Sequence, residues 1–258
     1  MRWVLIGLLV PIVLTYIGGP LLIYFTQKLE GRPNFSELDE TNLPEPVTRF
    51  LYETVEEVRK EGFVAEAFLM ADTAMNISAY LVMMANRETG DKAMVTALVA
   101  AGGAQVVPYV EYSTRYRSGK SVDTLNSDTI SSFEPTANEY KTQLFTVKEP
   151  RTLYRIHRHV LQRHAEIGFN DEKVLYPHGE ALAYLLQVME EGYEEQVKTG
   201  LLRREGSGDS LIYRPTPIGA FKMTYRLLPP FAASVRKRVQ EHADRILRSY
   251  KEEQGYAA

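Results

Sequence analysis

Between Trp3 and Phe25 the chain runs 23 residues without a charged side chain. At about 1.5 Å rise per residue, a helix of that length crosses roughly the 30 Å hydrocarbon core of a bilayer. Arg2 precedes the run, Lys28 and Arg32 follow it, and Trp3, Tyr16 and Tyr24 are aromatics suited to a membrane interface. The competing reading is a cleavable signal peptide, whose apolar core is usually about 7–15 residues long and ends in small residues at the cut. This core is longer, and Gly18-Gly19 is followed by Pro20. The expectation is therefore an uncleaved single-pass anchor with the lipid bilayer as its partner. Basic residues on the two flanks nearly balance. A short basic head is the usual signal-anchor layout, which places the large domain outside the cytoplasm. Gly7, Pro11, Thr15 and Gly18 or Gly19 recur at i, i+4 and offer a face for self-association or for a protein partner. The plainer reading is that Gly and Pro are simply common in membrane helices.

The rest of the chain has the makings of a folded body. Of 258 residues, 45% are hydrophobic and 24% charged, so the part after the anchor can bury a substantial core. The first 34 residues carry Arg2, Lys28 and Arg32 against Glu30, and with an overall charge of −3 the remainder stands at −5. A mildly acidic body is a poor polyphosphate binder. The chain has no cysteine, which excludes thiol catalysis, thiolate metal sites, disulfides and a lipidated cysteine.

Four segments follow from the pattern: an anchor over 1–30, a Pro- and Asn-punctuated linker over 31–46, a helix plus antiparallel sheet over 47–148, and a helical region over 149–258 with a hairpin at 201–214. Phe50, Leu51, Val55 and Val58 line one side of the first helix, with Gly62 at the cap position. Strand patterns then occupy 63–71, 76–86, 92–100, 105–117, 120–126 and 140–147. The clearest is Val110, Tyr112, Thr114, Tyr116 alternating with Glu111, Ser113, Arg115, Arg117. Short links favour an antiparallel meander. Ala93–Val110 carries no charge and could tempt a second span, but two buried strands joined at Ala101-Gly102-Gly103-Ala104 explain it better. After Glu149-Pro150 the period is helical: Leu153, Ile156, Val160, His164 and Ile167 form a stripe closed by Gly168, a second helix starts near Gly179, and Thr216-Pro217 opens a third. The fold class is α+β with a single N-terminal transmembrane helix.

Three constellations bear on chemistry. His157 and His159 are two apart on a helix and point about 200° apart, so they cannot chelate one ion together, and His164 lies on the apolar stripe. No metal and no cofactor is expected. Arg151, Arg155 and Arg158 share one helical face. They are candidates for contact with an anionic surface, each contributing about 1 kcal/mol near a charged leaflet. Equally, they form a solvated face or pair with the acidic run Glu190, Glu191, Glu194, Glu195, and internal pairing is the favoured expectation. The third is the segment Thr199-Gly200-Leu201-Leu202-Arg203-Arg204 followed by Tyr213-Arg214-Pro215-Thr216-Pro217-Ile218-Gly219. These residues resemble the wing and following helix of winged-helix regulators, a likeness over about 20 residues that implies DNA binding. The helix before a wing should then carry Lys and Arg, yet this one carries the four glutamates and a single Lys198, which phosphates would repel. No nucleic-acid partner is expected.

No phosphate-cradling Gly-Lys-Ser/Thr loop, Gly-x-Gly-x-x-Gly, Gly-x-Ser-x-Gly or His-Glu-x-x-His occurs. The sequence thus reads as a membrane-anchored, non-catalytic interaction or ligand-binding protein. The alternative is a membrane-bound enzyme acting on an envelope or lipid substrate, marked by a buried cleft with a carboxylate or histidine of perturbed pKa, where a binding module needs only an apolar pocket or exposed patch.

Overall fold

The computed structural model describes residues 14–72, 77–100, 106–166 and 171–255, and its architecture is mixed α+β. Its described residues fall into two compact units. One comprises Asn34–Thr129, Pro135–Tyr184 and Arg238 onward; the other comprises residues up to Pro33, Ile130–Glu134 and Leu185–Lys237.

The larger unit is built on a sheet of eight strands. Strands β2 (Ser36–Glu37), β3 (Val64–Asp72), β4 (Ile77–Asn86), β5 (Asp91–Ala100), β6 (Val106–Tyr116), β7 (Ser121–Leu125) and β8 (Glu139–Gln143) lie side by side in chain order, and β9 (Lys173–Val174) pairs with β6. The short links predicted an antiparallel meander, and β2 to β7 follow it. The last pair departs from it, because β8 runs parallel to β7, with Asp123 beside Lys141. The link over 126–138 explains the departure: it is a crossover of about a dozen residues, the length a parallel return needs. The uncharged stretch around Ala93–Val110 forms the neighbours β5 and β6, paired from Lys92↔Ser113 to Val99↔Val106. The residues proposed to join them, 101–104, lie outside the described residues, as do Ile167 and Gly168.

One face of this sheet is covered by α2 (Glu45–Arg59), α3 (Pro150–Glu166) and the end of α6 (Phe231–Glu253). The apolar stripes anticipated from helical spacing are the ones that go inside: Leu51, Val55 and Val58 from α2, then Leu153, Ile156 and Val160 from α3, against Val82, Met84, Val95, Val110 and Tyr112. Gly62 ends the α2 turn at φ 85°, and Asn86 Nδ2 donates to the neighbouring Glu61 carbonyl. The stretch 31–46, expected as a plain linker, contributes β2 and a short 3₁₀ turn, Glu40–Asn42, capped by Asp39.

The smaller unit contains a three-stranded sheet ordered β1 (Leu29–Glu30), β11 (Ile212–Pro215), β10 (Leu202–Glu205). The hairpin expected at 201–214 is present and gains a third strand from just after the apolar run. Leu202, Leu211 and Tyr213 form its core with Leu29, Phe133, Tyr193 and Val197 packed around them. Helix α4 (Ala181–Lys198) precedes the hairpin and α5 (Pro217–Leu227) follows it. Thr216 caps the start of α5 as its sequence implies, since Thr216 Oγ1 accepts from Gly219 N at 3.0 Å. Gly219 is required by contact: a Cβ there would stand 1.8 Å from the Leu201 carbonyl oxygen. Gly219→Ala should therefore cost about 2–3 kcal/mol by forcing backbone apart. An unfolding midpoint unchanged in urea would refute this contact.

Of the apolar run, the described part is a π-type turn (Leu14–Gly18) and α1 (Gly19–Thr26); residues 3–13, with Gly7 and Pro11, lie outside the described residues. Among the described residues no helix is long and apolar enough to cross a membrane. Helix α1 packs on α5, and Gly19 allows the approach, since a Cβ there would meet Thr224 Cγ2 at 3.1 Å. Arg203 donates to the Tyr24 hydroxyl at 2.9 Å and lies over its ring.

Candidate functional site

Two polar clusters of the larger unit lie on the two faces of strands β5 to β8. On the helix-covered face the centre is Asp91, whose side chain is 0% exposed. The β4–β5 turn puts it there: Asn86 Oδ1 accepts from the amides of Glu88 and Thr89, and Gly90 takes φ 72°. Helix α3 presents Tyr154, His157 and Arg158 at i, i+3, i+4, one face of the helix. Asp91 Oδ1 accepts from Thr114 Oγ1 at 2.7 Å and from Lys173 Nζ at 2.8 Å. Its Oδ2 accepts from the Tyr154 hydroxyl at 2.9 Å and from Arg158 at 3.0 Å. Burial works to raise the carboxyl, but at the acid pH where Asp91 titrates a protonated His157, the Lys173 ammonium and the Thr114 hydroxyl outweigh it, and Asp91 is held well below the usual carboxylate range. His157 itself, fully buried, joins Thr114 and Thr124, each 3.0 Å from a ring nitrogen, and burial pushes it down to about 3. At neutral pH the ring is thus uncharged, and Lys173, Arg158 and the hydroxyls hold Asp91 ionised. With four donors on two oxygens, Asp91 has no lone pair left for a substrate. The network ties β5, β6, α3 and β9 together.

The opposite face carries a different arrangement. Strand alternation and register place Lys92 on β5, Glu111 and Arg115 on β6, Asp123 on β7, and Glu139 and Lys141 on β8 on this same side. Lys141 Nζ lies 3.4 Å from Glu139 Oε1 and stands beside Asp123 by strand pairing. Burial raises the Glu111 carboxyl; Lys141 opposes this, while Asp123 and Glu139 reinforce it. Glu139 is raised for the same reasons, burial first. The Lys141 ammonium is held charged to unusually high pH, chiefly by Glu111. Glu111, Asp123 and Glu139 thus crowd around Lys141, so burial and like charge both work to raise the carboxyls while the ammonium works to lower them. Lys92 is 3% exposed; burial and the Arg115 charge bring it down to about 8. Its ammonium donates to the Val174 carbonyl at 2.8 Å and sits 5.2 Å from the Tyr184 ring centroid. The face therefore holds a carboxyl raised by burial and an amine lowered by it. Among the described residues no group of three or more His, Asp or Glu is placed to hold a metal ion.

The arginine face of α3 is split. Arg151 pairs with Glu61 at 2.8 Å, Arg158 is drawn into the Asp91 network, and Arg155 is exposed. The acids expected as partners are engaged elsewhere: Glu190 with Arg32, Glu194 with the Tyr213 hydroxyl and Glu195 with Lys198. The histidines take internal places. His159 bonds to Glu253 and Ser249 of α6, and the His164 ring lies 3.7 Å from that of Tyr140.

Asp91, Lys173 and the charged face of β5 to β8 do not stand out in the sequence. A signal exists all the same: one or two ionisable residues recur at the same strand parity in four successive strands. By alternation alone, Glu111 and Arg115 belong to an outward, solvated face. Compared with known protein families, with curated proteins and with solved structures, the chain matches none.

Proposed function

We propose that this is a membrane-attached, non-catalytic binding module whose polar ligand seats on the charged face of β5 to β8. The observation that supports it is the gathering of Lys92, Glu111, Arg115, Asp123, Glu139 and Lys141 on one side of four strands, Lys92 and Asp123 buried and the other four half-buried. Buried ion pairs are weak stabilisers, and apolar residues of similar volume often serve stability equally well or better. A face that keeps six charged groups, two of them buried and four half-buried, is better accounted for by a ligand bearing both hydrogen-bond donors and acceptors. Attachment is through the uncharged run 3–25 as a single-pass anchor, with the bulk of the chain outside the cytoplasm. Nucleic acid has no part in this reading, given the glutamates of α4.

A second reading rests on the same face: a membrane-bound enzyme in which Glu111 serves as the acid and Lys92 as the base. The carboxyl is raised by burial and the amine is lowered to about 8, shifts in the directions that acid and base roles require.

The test is ligand-observed NMR of the full chain in detergent against a panel of small polar compounds, repeated with Glu111→Gln/Lys141→Met. We expect at least one compound that binds the parent and loses about tenfold or more affinity in the variant, while unfolding shifts by less than about 1 kcal/mol. Binders unaffected by the substitutions, or none, would refute the site; turnover of the bound compound would favour the enzyme.

A further inference from the structure

We infer that α5 and the aromatic cluster beside it enter the membrane interface together with α1, so that lipid is met by a surface of two packed helices. The inference rests on the membrane-attached reading and goes beyond the anchoring run, because α5 lies about 190 residues further along the chain.

Helix α5 divides its surface. Gly219, Ala220, Met223 and Thr224 face inward, while Ile218 and Phe221 are 65% and 47% exposed. Beside them, α1 turns Leu21, Leu22 and Phe25 outward, Phe25 to 68%. The two exposed rows belong to helices in contact through Gly19 and Thr224. A single exposed leucine needs no explanation, but contiguous exposed apolar side chains on adjoining helices mark a contact surface.

Rings fill the rest of the patch. Phe221 stacks on Tyr225 at 4.0 Å between centroids, Tyr225 meets Phe231 at 4.7 Å, and Tyr16 approaches Tyr225 edge-on at 5.8 Å. Tyrosine, with an apolar body and a polar tip, belongs at the headgroup level. Two cations lie on α5. Arg226 is turned to Ser131 and Glu134, and Lys222 is exposed, where its long stem can keep the ammonium in water above buried methylenes.

The occupant is the bilayer rather than another protein because of what leads into the patch. Residues 3–13 are uncharged, and so is the whole of α1. The medium that receives that run must border the surface on which α1 lies. An interfacial helix buries its apolar face at the boundary of headgroups and acyl chains, and α5 has the face for it.

Trp3 is the single tryptophan, so a reporter can be moved. The full chain carrying Trp3→Phe and Phe221→Trp is reconstituted into phosphatidylcholine–phosphatidylglycerol vesicles with or without bromine on the upper acyl chain; Ile218→Trp serves as a second reporter. We expect the chain to float with the vesicles and emission from either reporter to fall roughly twofold or more with brominated lipid. A chain that floats while both reporters ignore bromine would overturn the inference and leave membrane attachment standing. A chain that does not float would overturn the attachment reading itself. Reporters shielded from acrylamide but not touched by bromine, in a chain that sediments as a dimer, would assign the patch to a second copy and overturn the inference.

Discussion

Asp91→Asn is expected to destabilise the sheet unit by about 3 kcal/mol, more than any other conservative substitution in the larger unit. The change keeps the shape of the side chain and removes its charge. Thr114, Tyr154, Arg158 and Lys173 all donate to this carboxylate, and an amide can accept at one oxygen only. Removing one partner of a buried ion pair costs about 3–5 kcal/mol when the remaining charge is trapped. Here the cations reach water in part, with side-chain exposures of 41% for Arg158 and 30% for Lys173, so the lower end applies. Arg158→Met is the control. It removes a half-exposed partner and leaves three donors, and should cost about 1 kcal/mol or less. Urea denaturation of the full chain and both variants measures this. Equal losses would mean that Asp91 is one ordinary ion pair and that the elements around it are held by the apolar core alone.

What the sequence reveals and what it hides divide along the range of the interactions. The six longer strands, the apolar stripes of α2 and α3, the cap at Thr216 and the hairpin after Leu201 all depend on spacings of two to four residues, and they are legible to within a few residues. Strands β1, β2 and β9 are not, because two residues show no period; each exists only through its partner strand. The parallel pairing of β8 is hidden because it is decided by where a long crossover lands. The arginine face shows the same limit: helical spacing says that Arg151, Arg155 and Arg158 share a side, but not which acid stands opposite. Glu61 and Asp91 are 90 and 67 positions away from their arginines, brought there by the packing of α3 on the sheet. The charged side of β5 to β8 is visible as alternation, but a polar alternate face is ordinarily solvated. The burial of Lys92 and Asp123 and the half-burial of the other four belong to the tertiary structure.

The second large effect is on pH. His157 has an ordinary value near 6.5 and is pushed down to about 3 in the fold. Between those limits the unfolded chain binds the proton and the folded one does not, so stability rises with pH across the window and is lost on acidification from about 6.5 downward. For this one group the loss between pH 7 and pH 4.5 is about 2.5 kcal/mol, since each pH unit crossed below 6.5 costs about 1.4 kcal/mol. His164 and His242, lowered chiefly by burial, act in the same direction. Glu111 and Glu139 oppose them: their folded values are raised, so they stabilise the fold at acid pH, and that contribution fades as pH rises through their folded values. Asp91, held low, matters only nearer its ordinary value of 3.8 and below. Replacing His157 by Gln removes the titration while leaving a side chain able to bond to Thr114 or Thr124. The parent should lose stability steeply from pH 7 to 4.5, and the variant, less stable at pH 7, should show a profile flatter by about 2 kcal/mol over the same range. Parallel profiles would show that His157 takes up its proton without leaving the fold, and that the ring between the two threonines is not held neutral.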